Sequence, residues 1–301
     1  MAQLQVALFG YKPSEISAKA VFSILEAIAA VGGVAIIEKS FKAAIEAQGI
    51  SNATVHLPKE TFIDHNTLSG STHLFVSFGG DGTMLKAITY IKDSGIPLVG
   101  VNTGRLGFLS TIDVAEVKKV ITDFVSGAYT LEERTMVALY SETKIPMLSE
   151  ACVALNEITV SRKDTTAMIT VATYLDGAYL TSYWADGLII ATPTGSTGYS
   201  LSCGGPVMAP GTNSLILTPI APHNLNARPL IIADHTEIRL KVSGREPQHL
   251  VSLDSRIASI DNGTELLIKK APYAIKMVAY TSESFLKTLR KKLLWGEDKR
   301  N

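Results

Sequence analysis

Two segments of the sequence join glycine to small polar residues directly after an apolar run. Residues 79–83 are Gly-Gly-Asp-Gly-Thr, and residues 192–199 are Thr-Pro-Thr-Gly-Ser-Thr-Gly-Tyr. Glycine lets the backbone approach a ligand where a Cβ would clash, and Ser and Thr hydroxyls donate hydrogen bonds to phosphate or ribose oxygens. The two segments together predict phosphoryl transfer to a nucleotide-like acceptor. In the second segment the expected contacts are Thr194, Ser196, Thr197, Gly198, Ser202 and, through its flat ring, Tyr199.

Asp81 lies where the sequence predicts that a strand ends and a helix begins. The unpaired N–H groups at the start of a helix are a natural phosphate site, so Gly79, Gly80 and Gly82 are candidates for phosphate and nucleotide contacts. A carboxylate beside that phosphate could deprotonate an attacking hydroxyl or hold Mg²⁺. The sequence leaves these two roles open, together with a third in which Asp81 only caps the helix.

Several common nucleotide and hydrolase motifs are missing. Residues 80–85, Gly-Asp-Gly-Thr-Met-Leu, lack the third glycine of the dinucleotide fingerprint, which argues against a Rossmann dehydrogenase. No Gly-x-x-x-x-Gly-Lys-Ser/Thr phosphate loop occurs. Ser196 lies in Gly-Ser-Thr-Gly, one residue short of the nucleophile elbow of hydrolases. A kinase built on this chain must therefore belong to another architecture.

A third polar segment, residues 102–109, follows the apolar run 97–101. Ligands of open parallel sheets bind at this end of the strands. Asn102 could hydrogen-bond a ligand, Arg105 is a further phosphate-contact candidate, and Phe108 could pack on a ring. The ordinary alternatives, an amide satisfied within its own turn and a phenylalanine of the core, stay open at this point.

Asn156 and Glu157 stand between Leu155 and Ile158 inside a β pattern. A charge at such a place needs a partner, and a pair of ribose hydroxyls would be one. Adjacent strand residues face opposite ways, so both side chains can contact one ligand only at a strand end or a bulge. Asp186, just before the apolar run 188–191, invites the same reasoning. An exposed glutamate on a sheet face is the alternative.

Residues 1 to about 125 alternate apolar runs with helical periodicity. In the first predicted helix, Ile16, Ala20, Ile24 and Ile28 recur at helical spacing. Strands that alternate with helices imply a parallel, Rossmann-like sheet covered on both faces. We expect strands at 6–9, 34–37, 73–78 and 97–101, and helices at 14–30, 81–92 and 114–125.

After residue 128 short apolar runs follow one another with almost no helical period, which predicts an all-β sandwich. Near the end, Phe285, Leu286, Leu289 and Leu293 form an apolar stripe on a helix that we expect to pack back onto the protein. The predicted domains are an α/β domain at 1–126 that carries the glycine loop, a β-sandwich domain at 127–281 that carries the second glycine segment, and the C-terminal helix at 282–301. The expected strands are 130–140, 151–160, 168–175, 179–184, 214–220, 229–232, 237–242, 249–253 and 265–269.

Composition narrows the class of protein. The 301 residues are 46% hydrophobic, enough for well-filled cores, and carry a formal net charge of zero, which offers no overall attraction to nucleic acid or anionic lipid. We also expect the basic face of the C-terminal helix to be solvated. Cys152 and Cys203 show no metal-ligand spacing, and the N-terminus lacks a signal-peptide pattern. We therefore expect reduced thiols, a cytoplasmic location, no dedicated protein metal site, and no nucleic-acid or membrane partner.

The NAD kinases are the family that the chain resembles, through motifs that occur in order along most of its length. Each motif alone is weak, but their order is highly specific. The last of them, residues 219–230, includes Ala-Pro-His-Asn-Leu-Asn-Ala-Arg-Pro-Leu. The others are the Gly-Gly-Asp-Gly-Thr loop at 79–83, Asn-Thr-Gly-x-Leu-Gly-Phe at 102–108, Asn156-Glu157, and the stretch from Asp186-Gly187 to Gly204-Gly205-Pro206.

The resemblance implies an enzyme that phosphorylates the adenosine 2′-hydroxyl of NAD with ATP and Mg²⁺, giving NADP and ADP. It also implies a homodimer or homotetramer. By this analogy Asp81 activates the acceptor hydroxyl, and Asn156 and Glu157 hold the adenosine part. Gly198 stands where many relatives have alanine, a change that we expect to leave activity intact. The remaining NAD contacts implied are Gly82, Phe108, Asp186, Thr194, Thr197, Tyr199 and Ser202, and the implied phosphate contacts are Gly79, Gly80, Asn102 and Arg105.

Two other functions remain open on the sequence alone. Lipid kinases of the diacylglycerol and sphingosine type, and 6-phosphofructokinases, share a similar Gly-Gly-Asp-Gly loop but do not share the segment 192–199. A non-catalytic NAD or NADPH sensor would keep the pocket without turnover, and the presence of Asp81 argues against it. The sequence also leaves open whether polyphosphate replaces ATP, whether NADH is accepted, and whether NADPH inhibits.

Overall fold

The chain folds into two compact units. Unit 1 comprises Met1–Glu133 and Ile275–Asn301, and unit 2 comprises Arg134–Ala274. The sequence predicts boundaries after residues 126 and 281. The units divide elsewhere because two strands, at 130–134 and 275–279, belong to the sheet of unit 1. The computed structural model describes residues 3–68, 70–104, 106–145, 152–164, 167–280 and 284–294.

Unit 1 contains helices and a mainly parallel sheet. Its strand order is β3-β2-β1-β4-β5-β20-β7, with β6 also paired to β5. The elements are β1 (Gln5–Gly10), α1 (Glu15–Ala30), β2 (Val34–Glu38), α2 (Lys39–Glu46), β3 (Thr61–Phe62), β4 (Leu74–Phe78), α3 (Asp81–Ile91), β5 (Leu98–Asn102), β6 (Ile112–Asp113), α4 (Val117–Ser126), β7 (Thr130–Arg134), β20 (Ile275–Ala279) and α6 (Phe285–Leu293).

The centre of the unit 1 sheet confirms the predicted α/β architecture. β1 pairs in parallel with both β2 and β4, and β4 pairs in parallel with β5. Every residue of β4 is buried, as expected for a parallel strand covered by helices on both faces. The carboxyl ends of β1, β4 and β5 therefore lie at one edge of the sheet, because these strands run in the same direction.

Helix α1 begins at a capping box, in which Ser14 accepts from the backbone of Ser17 and the Ser17 hydroxyl accepts in return. Ala20, Ile24 and Ile28 are buried as their spacing predicts. The prediction for Ile16 was wrong, since this side chain is 54% exposed. Residues spaced four apart drift by about 40° around the helix axis at each step, and in the first turn Ser17 and Ala18 are buried instead.

The sequence pattern missed α2 and β3. α2 buries only Phe41 and Ile45, so its periodicity is too short to stand out. Its start is set by Glu38, a buried carboxylate that accepts from the Phe41 N–H at 2.7 Å. The strand β3 has two residues, which is below the length that alternation can reveal.

Unit 2 is an antiparallel β-sandwich. One sheet has the order β15-β14-β13-β10-β17-β18 and the other β12-β11-β16-β19-β8-β9. A single apolar core joins residues of both sheets, such as Ile158 and Val171. The elements are β8 (Val137–Tyr140), β9 (Val153–Ala154), β10 (Glu157–Arg162), β11 (Ile169–Leu175), β12 (Ala178–Ala185), β13 (Gly187–Ala191), α5 (Tyr199–Ser202), β14 (Ser214–Ile220), β15 (Leu230–Ala233), β16 (Ile238–Gly244), β17 (Gln248–Leu253), β18 (Arg256–Asp261) and β19 (Glu265–Lys270).

The C-terminal helix α6 packs within unit 1, which confirms that it returns to the protein. Its Phe285 ring lies 6.4 Å from the Phe108 ring, measured between centroids, and Leu289 is buried. Leu286, predicted as part of the apolar stripe, is instead exposed. No helix among the described residues is long and apolar enough to cross a membrane.

Candidate active site

The glycine loop of unit 1 joins β4 to α3, as the sequence predicts. Gly79 and Gly80 follow the strand, and Asp81 is the first residue of the helix. No side chain caps this helix, and the residue at the N-cap position is Gly80. Asp81 therefore does not act as the N-cap, and the first turn of α3 keeps N–H groups available for a phosphate.

The carboxylate of Asp81 is held by three consecutive backbone N–H groups. Phe108 N donates to Oδ2 at 2.8 Å, while Leu109 N and Ser110 N donate to Oδ1 at 3.0 and 3.1 Å. The Ser110 hydroxyl donates to the Gly79 carbonyl at 2.7 Å, which ties the same segment to the glycine loop. Asp81 is therefore fixed in orientation, and most of its lone pairs are already used.

Gly107 makes this contact sterically feasible. A Cβ at this position would lie 1.8 Å from Asp81 Oδ1, far inside van der Waals contact. In the sequence Gly107 belongs to the segment 102–108, and nothing there indicates a separate role for it. The need for glycine at residue 107 cannot be predicted from the sequence, because it depends on the contact of this segment with Asp81 in the folded structure.

Three side chains near the end of β1 were missed by the sequence analysis. Gly10 pairs with Phe78, so Tyr11 follows β1 beside the start of the glycine loop. The Lys86 ammonium lies 4.1 Å from the centre of the Tyr11 ring, and that of Lys12 lies 5.6 Å from it. This arrangement places two positive charges at the edge of the sheet that carries Asp81.

Asn102 and Phe108 have partners within unit 1. Asn102 Oδ1 accepts from Gly104 N at 2.8 Å, which is the turn interaction that the sequence left open as an alternative. Phe108 is half-buried between Phe285 and the Lys292 ammonium, which is 5.8 Å from the ring centre. Arg105 lies outside the described residues.

In unit 2, Asn156 and Glu157 occupy the start of β10. Glu157 is the first residue of the strand, so the condition for both side chains to contact one ligand, a strand end, is met. The single strand expected at 151–160 was wrong, because the chain forms β9 and β10 on either side of Leu155 and Asn156. Asn156 Oδ1, Glu157 Oε2 and Thr194 Oγ1 are buried and have no hydrogen-bond partner in the described part of the chain. Buried oxygens without partners cost free energy unless a ligand satisfies them. These three atoms define a polar cluster that we call the acceptor cluster.

The carboxyl group of Glu157 has an unusual protonation equilibrium. Burial and the nearby charge of Asp254 raise its pKa to about 7, and a backbone hydrogen bond from Tyr199 opposes this. The group therefore changes charge near neutral pH. Because Glu157 is shielded from water, a hydroxyl of a bound nucleotide could supply the hydrogen bond that its carboxylate lacks.

The segment 192–205 divides into a scaffold part and an open part. The Ser196 hydroxyl bonds to the Pro193 carbonyl and the Met208 backbone, so the expected ligand contact at Ser196 was wrong. A Cβ at Gly195 would lie 2.0 Å from the Asn156 carbonyl oxygen. Glycine is therefore needed here for close packing against the backbone of Asn156, and not for contact with a ligand. Tyr199 and Ser202 are exposed on α5.

Two further predicted contacts in unit 2 have protein partners. Thr197 Oγ1 donates to the Thr194 carbonyl at 3.2 Å. Asp186 Oδ2 lies 3.0 Å from an Arg162 nitrogen, so the partner expected for its charge is supplied by β10. Gly198 lies beside the acceptor cluster, because a Cβ there would be 3.2 Å from Glu157 Oε2.

Asp254 was missed altogether. It lies in the short turn between β17 and β18, and its carboxylate accepts from Leu155 N at 3.0 Å, Asn156 N at 2.8 Å and Glu157 N at 3.3 Å. In sequence it is an ordinary turn aspartate, and only the paired strands bring it to Asn156.

Unit 1 thus carries a fixed carboxylate beside a helix start, and unit 2 carries unpartnered acceptors beside an exposed tyrosine. Together these features are typical of a kinase that acts on a nucleotide. Two family models match the chain: the ATP-NAD kinase N-terminal domain over residues 36–129 and the ATP-NAD kinase C-terminal domain over residues 155–280.

Similar proteins agree with these matches. A NAD kinase of Flavobacterium psychrophilum is 55% identical over 266 residues, covering 88% of this chain and 89% of that protein. A NAD kinase of Christiangramia forsetii is 57% identical over 253 residues, covering 83% and 85%. The chain belongs to the NAD kinase family and is a kinase that phosphorylates NAD.

Solved structures show the same fold. Yeast NADH kinase in complex with NADH matches with a TM-score of 0.87 and 25% identity, covering 98% of this chain and 89% of that one. A NAD kinase from Archaeoglobus fulgidus in complex with ATP matches with a TM-score of 0.73 and 26% identity, covering 97% and 99%.

Proposed function

We propose that the acceptor cluster of unit 2 binds the adenosine part of NAD and that Asp81 of unit 1 activates the hydroxyl to be phosphorylated. The observation that carries this proposal is the set of buried, unpartnered oxygens on Asn156, Glu157 and Thr194. Ribose hydroxyls and an adenine amino group are hydrogen-bond donors, which are the groups that these acceptors lack. The exposed ring of Tyr199 supplies a stacking surface for a base.

Asp81 has room for one more hydrogen bond. An ionised carboxylate offers about four lone pairs, and the three backbone N–H groups occupy two on Oδ1 and one on Oδ2. The remaining position on Oδ2 can accept the proton of the attacking hydroxyl. Phosphoryl transfer has a loose transition state, so orienting this hydroxyl contributes more than strong basicity would.

A divalent cation, Mg²⁺ in the first instance, is the expected companion of ATP. Magnesium in kinases is held by substrate phosphates and one or two carboxylates, and it neutralises the charge that develops on the phosphates. The described residues contain no group of three or more His, Cys, Asp or Glu that could hold a metal ion. A cation held mainly by the ATP phosphates suits this residue set, because the one free lone pair of Asp81 is assigned to the attacking hydroxyl.

The other predicted contacts complete the proposal. Gly79, Gly80, Lys12 and Lys86 are assigned to the phosphates of ATP, since they flank the start of α3 or the end of β1. The further residues assigned to phosphates are Asn102 and Arg105, and those assigned to NAD are Gly82, Phe108, Asp186, Thr197, Gly198 and Ser202.

We also propose a cytoplasmic homo-oligomer. Both cysteines, Cys152 and Cys203, are free, which suits a reducing compartment. The edge strand β12 exposes Tyr179, Leu180 and Trp184 and contains no lysine or proline to prevent pairing. Light scattering of the purified protein would give the oligomeric state, and a monomer at micromolar concentration would contradict this part.

The proposal is tested by NAD titration and by NADP formation from NAD, ATP and Mg²⁺. N156A and E157Q should each weaken NAD binding about tenfold or more, because each removes an acceptor for a ligand group. E237Q is the matched control, since Glu237 only pairs with Lys269 at the surface. Parental NAD affinity in both N156A and E157Q would reject the acceptor cluster, and NADP formation in excess EDTA would reject the cation.

A further inference from the structure

Asp254 makes no contribution to the reaction as described so far, yet it contacts the backbone of the acceptor cluster at three successive residues. Its Oδ1 accepts from the N–H groups of Asn156 and Glu157, and its Oδ2 accepts from that of Leu155. Its own N–H donates to the Glu157 carbonyl at 3.0 Å. One side chain thus fixes the backbone from which the Asn156 and Glu157 side chains extend.

The backbone of Asp254 shows that the side chain has a specific role. Its φ is 51°, in the left-handed region that favours glycine and is costly for most other residues. The turn would form more easily with glycine at this position, but glycine would leave the three N–H groups without their acceptor. The carboxylate therefore outweighs the backbone cost.

We propose that Asp254 is a positioning residue for NAD binding: its carboxylate orients Asn156 and Glu157 and places a negative charge beside the Glu157 carboxyl. This inference rests on the proposed function, because it acts through the acceptor cluster. Asp254 does not contact NAD itself in this account. Replacing its carboxylate should weaken NAD binding, because the backbone at Leu155, Asn156 and Glu157 loses an acceptor that orients it, while the phosphoryl-transfer step is little affected.

The charge has a separate, measurable consequence. Burial and the charge of Asp254 raise the pKa of Glu157, and a backbone hydrogen bond from Tyr199 lowers it. Burial also raises the pKa of Asp254, while its three backbone hydrogen bonds and the nearby Arg256 favour its ionised form. Ionised Glu157 is the better acceptor for ribose hydroxyls. The kcat/KM for NAD should therefore rise with pH through about 7, the pKa of Glu157.

The experiment measures kcat and KM for NAD from pH 5.5 to 9 in the parent, D254N, D176N and E157Q. D254N keeps one amide oxygen as acceptor, and asparagine tolerates a positive φ. We expect D254N to raise KM for NAD about tenfold, to keep a kcat close to that of the parent, and to move the pH midpoint downward. D176N is the matched control, because Asp176 also has a positive φ of 48°, lies in a hairpin turn and accepts one N–H, from Glu237.

The outcomes separate this inference from the proposed function. An E157Q variant that keeps the parental KM and midpoint rejects the acceptor cluster itself. If E157Q behaves as expected, a D254N variant with unchanged KM, or with a raised KM and an unmoved midpoint, overturns the role of Asp254. The second pattern would mean a purely structural effect. If D254N fails to fold, D254G, which relieves the backbone strain, carries the same two measurements.

Discussion

Both units fix a polar segment with the same device, an aspartate that accepts three consecutive backbone N–H groups. In unit 1, Asp81 holds residues 108–110, and in unit 2, Asp254 holds residues 155–157. In each case Oδ1 takes two of the bonds and Oδ2 takes one. The difference lies in which side of the contact meets substrate. In unit 1 Asp81 itself is assigned to the reacting hydroxyl. In unit 2 the residues that Asp254 holds, Asn156 and Glu157, are assigned to NAD binding.

An aspartate that accepts three consecutive backbone N–H groups can therefore have either of two roles, depending on which partner contacts the substrate. At Asp81 the three hydrogen bonds immobilise the carboxylate. At Asp254 they immobilise the backbone that carries the Asn156 and Glu157 side chains.

The largest effect is expected from changing Asp81, because it is the residue assigned to the reacting hydroxyl. D81N removes the acceptor of the hydroxyl proton, and NADP formation should fall at least a hundredfold with NAD affinity retained.

A suitable control for D81N is D64N. Asp64 also accepts a backbone N–H, from Thr67 at 2.8 Å, but it lies in an exposed turn. D64N should keep the parental kcat. A D81N variant with more than a tenth of parental turnover would show that Asp81 is only structural.

The next largest effect is expected when the contact between Asp81 and residues 108–110 is disturbed without changing Asp81 itself. In G107A the new Cβ would lie 1.8 Å from Asp81 Oδ1, so the carboxylate must move. A displacement of about 1 Å in a reacting group costs roughly a hundredfold in rate, and kcat should fall by ten- to a hundredfold. G104A is the control, because a Cβ at Gly104 meets nothing within 4 Å. Equal kcat values for the two variants would contradict the positioning of Asp81.

A smaller effect concerns stability in unit 2. The pKa of Glu157 is raised from its ordinary value of 4.5 to about 7, so its ionisation destabilises the folded state as pH rises between these values. E157Q removes this cost, on the order of 3 kcal/mol at most. The melting temperature of E157Q relative to the parent should be higher at pH 8 than at pH 5. The same difference at both pH values would show that Glu157 does not titrate in this range.

The smallest effect is expected at Gly198. In G198A the Cβ would be 3.2 Å from Glu157 Oε2 and from the Gly195 carbonyl, so the neighbours need to shift by only a few tenths of an ångström. The φ of Gly198 is −94° and its ψ is −130°, a combination outside the α and β regions, so alanine carries some backbone strain here. We expect KM for NAD within about threefold of the parent and a slightly lowered melting temperature. A tenfold rise in KM would show that the acceptor cluster is tighter than described.

The sequence predicted the features that depend on local pattern. The α/β and β-sandwich architectures follow from apolar periodicity, and the position of Asp81 after a strand follows from the glycine loop. The family resemblance correctly identified the NAD kinases. The break between β9 and β10 was not predicted, since the apolar run suggested one strand over 151–160.

Features that depend on distant contacts could not be predicted. Asp254 is far from Asn156 in the chain, and only the β10–β17 pairing brings it there. Ser196 has the residue type of a ligand contact, but its hydroxyl is used within its own loop. The same limit applies to Asp186, whose partner Arg162 is reached through the pairing of β10 with β13.

The most direct test compares D81N with D254N side by side, because the substitution is the same and each variant keeps one acceptor oxygen. NAD affinity is measured by titration calorimetry and kcat from NADP formation at saturating NAD and ATP. The account predicts that D81N loses turnover and keeps NAD affinity, whereas D254N loses NAD affinity and keeps turnover. Loss of the same quantity in both variants would contradict the distinction between the two aspartates.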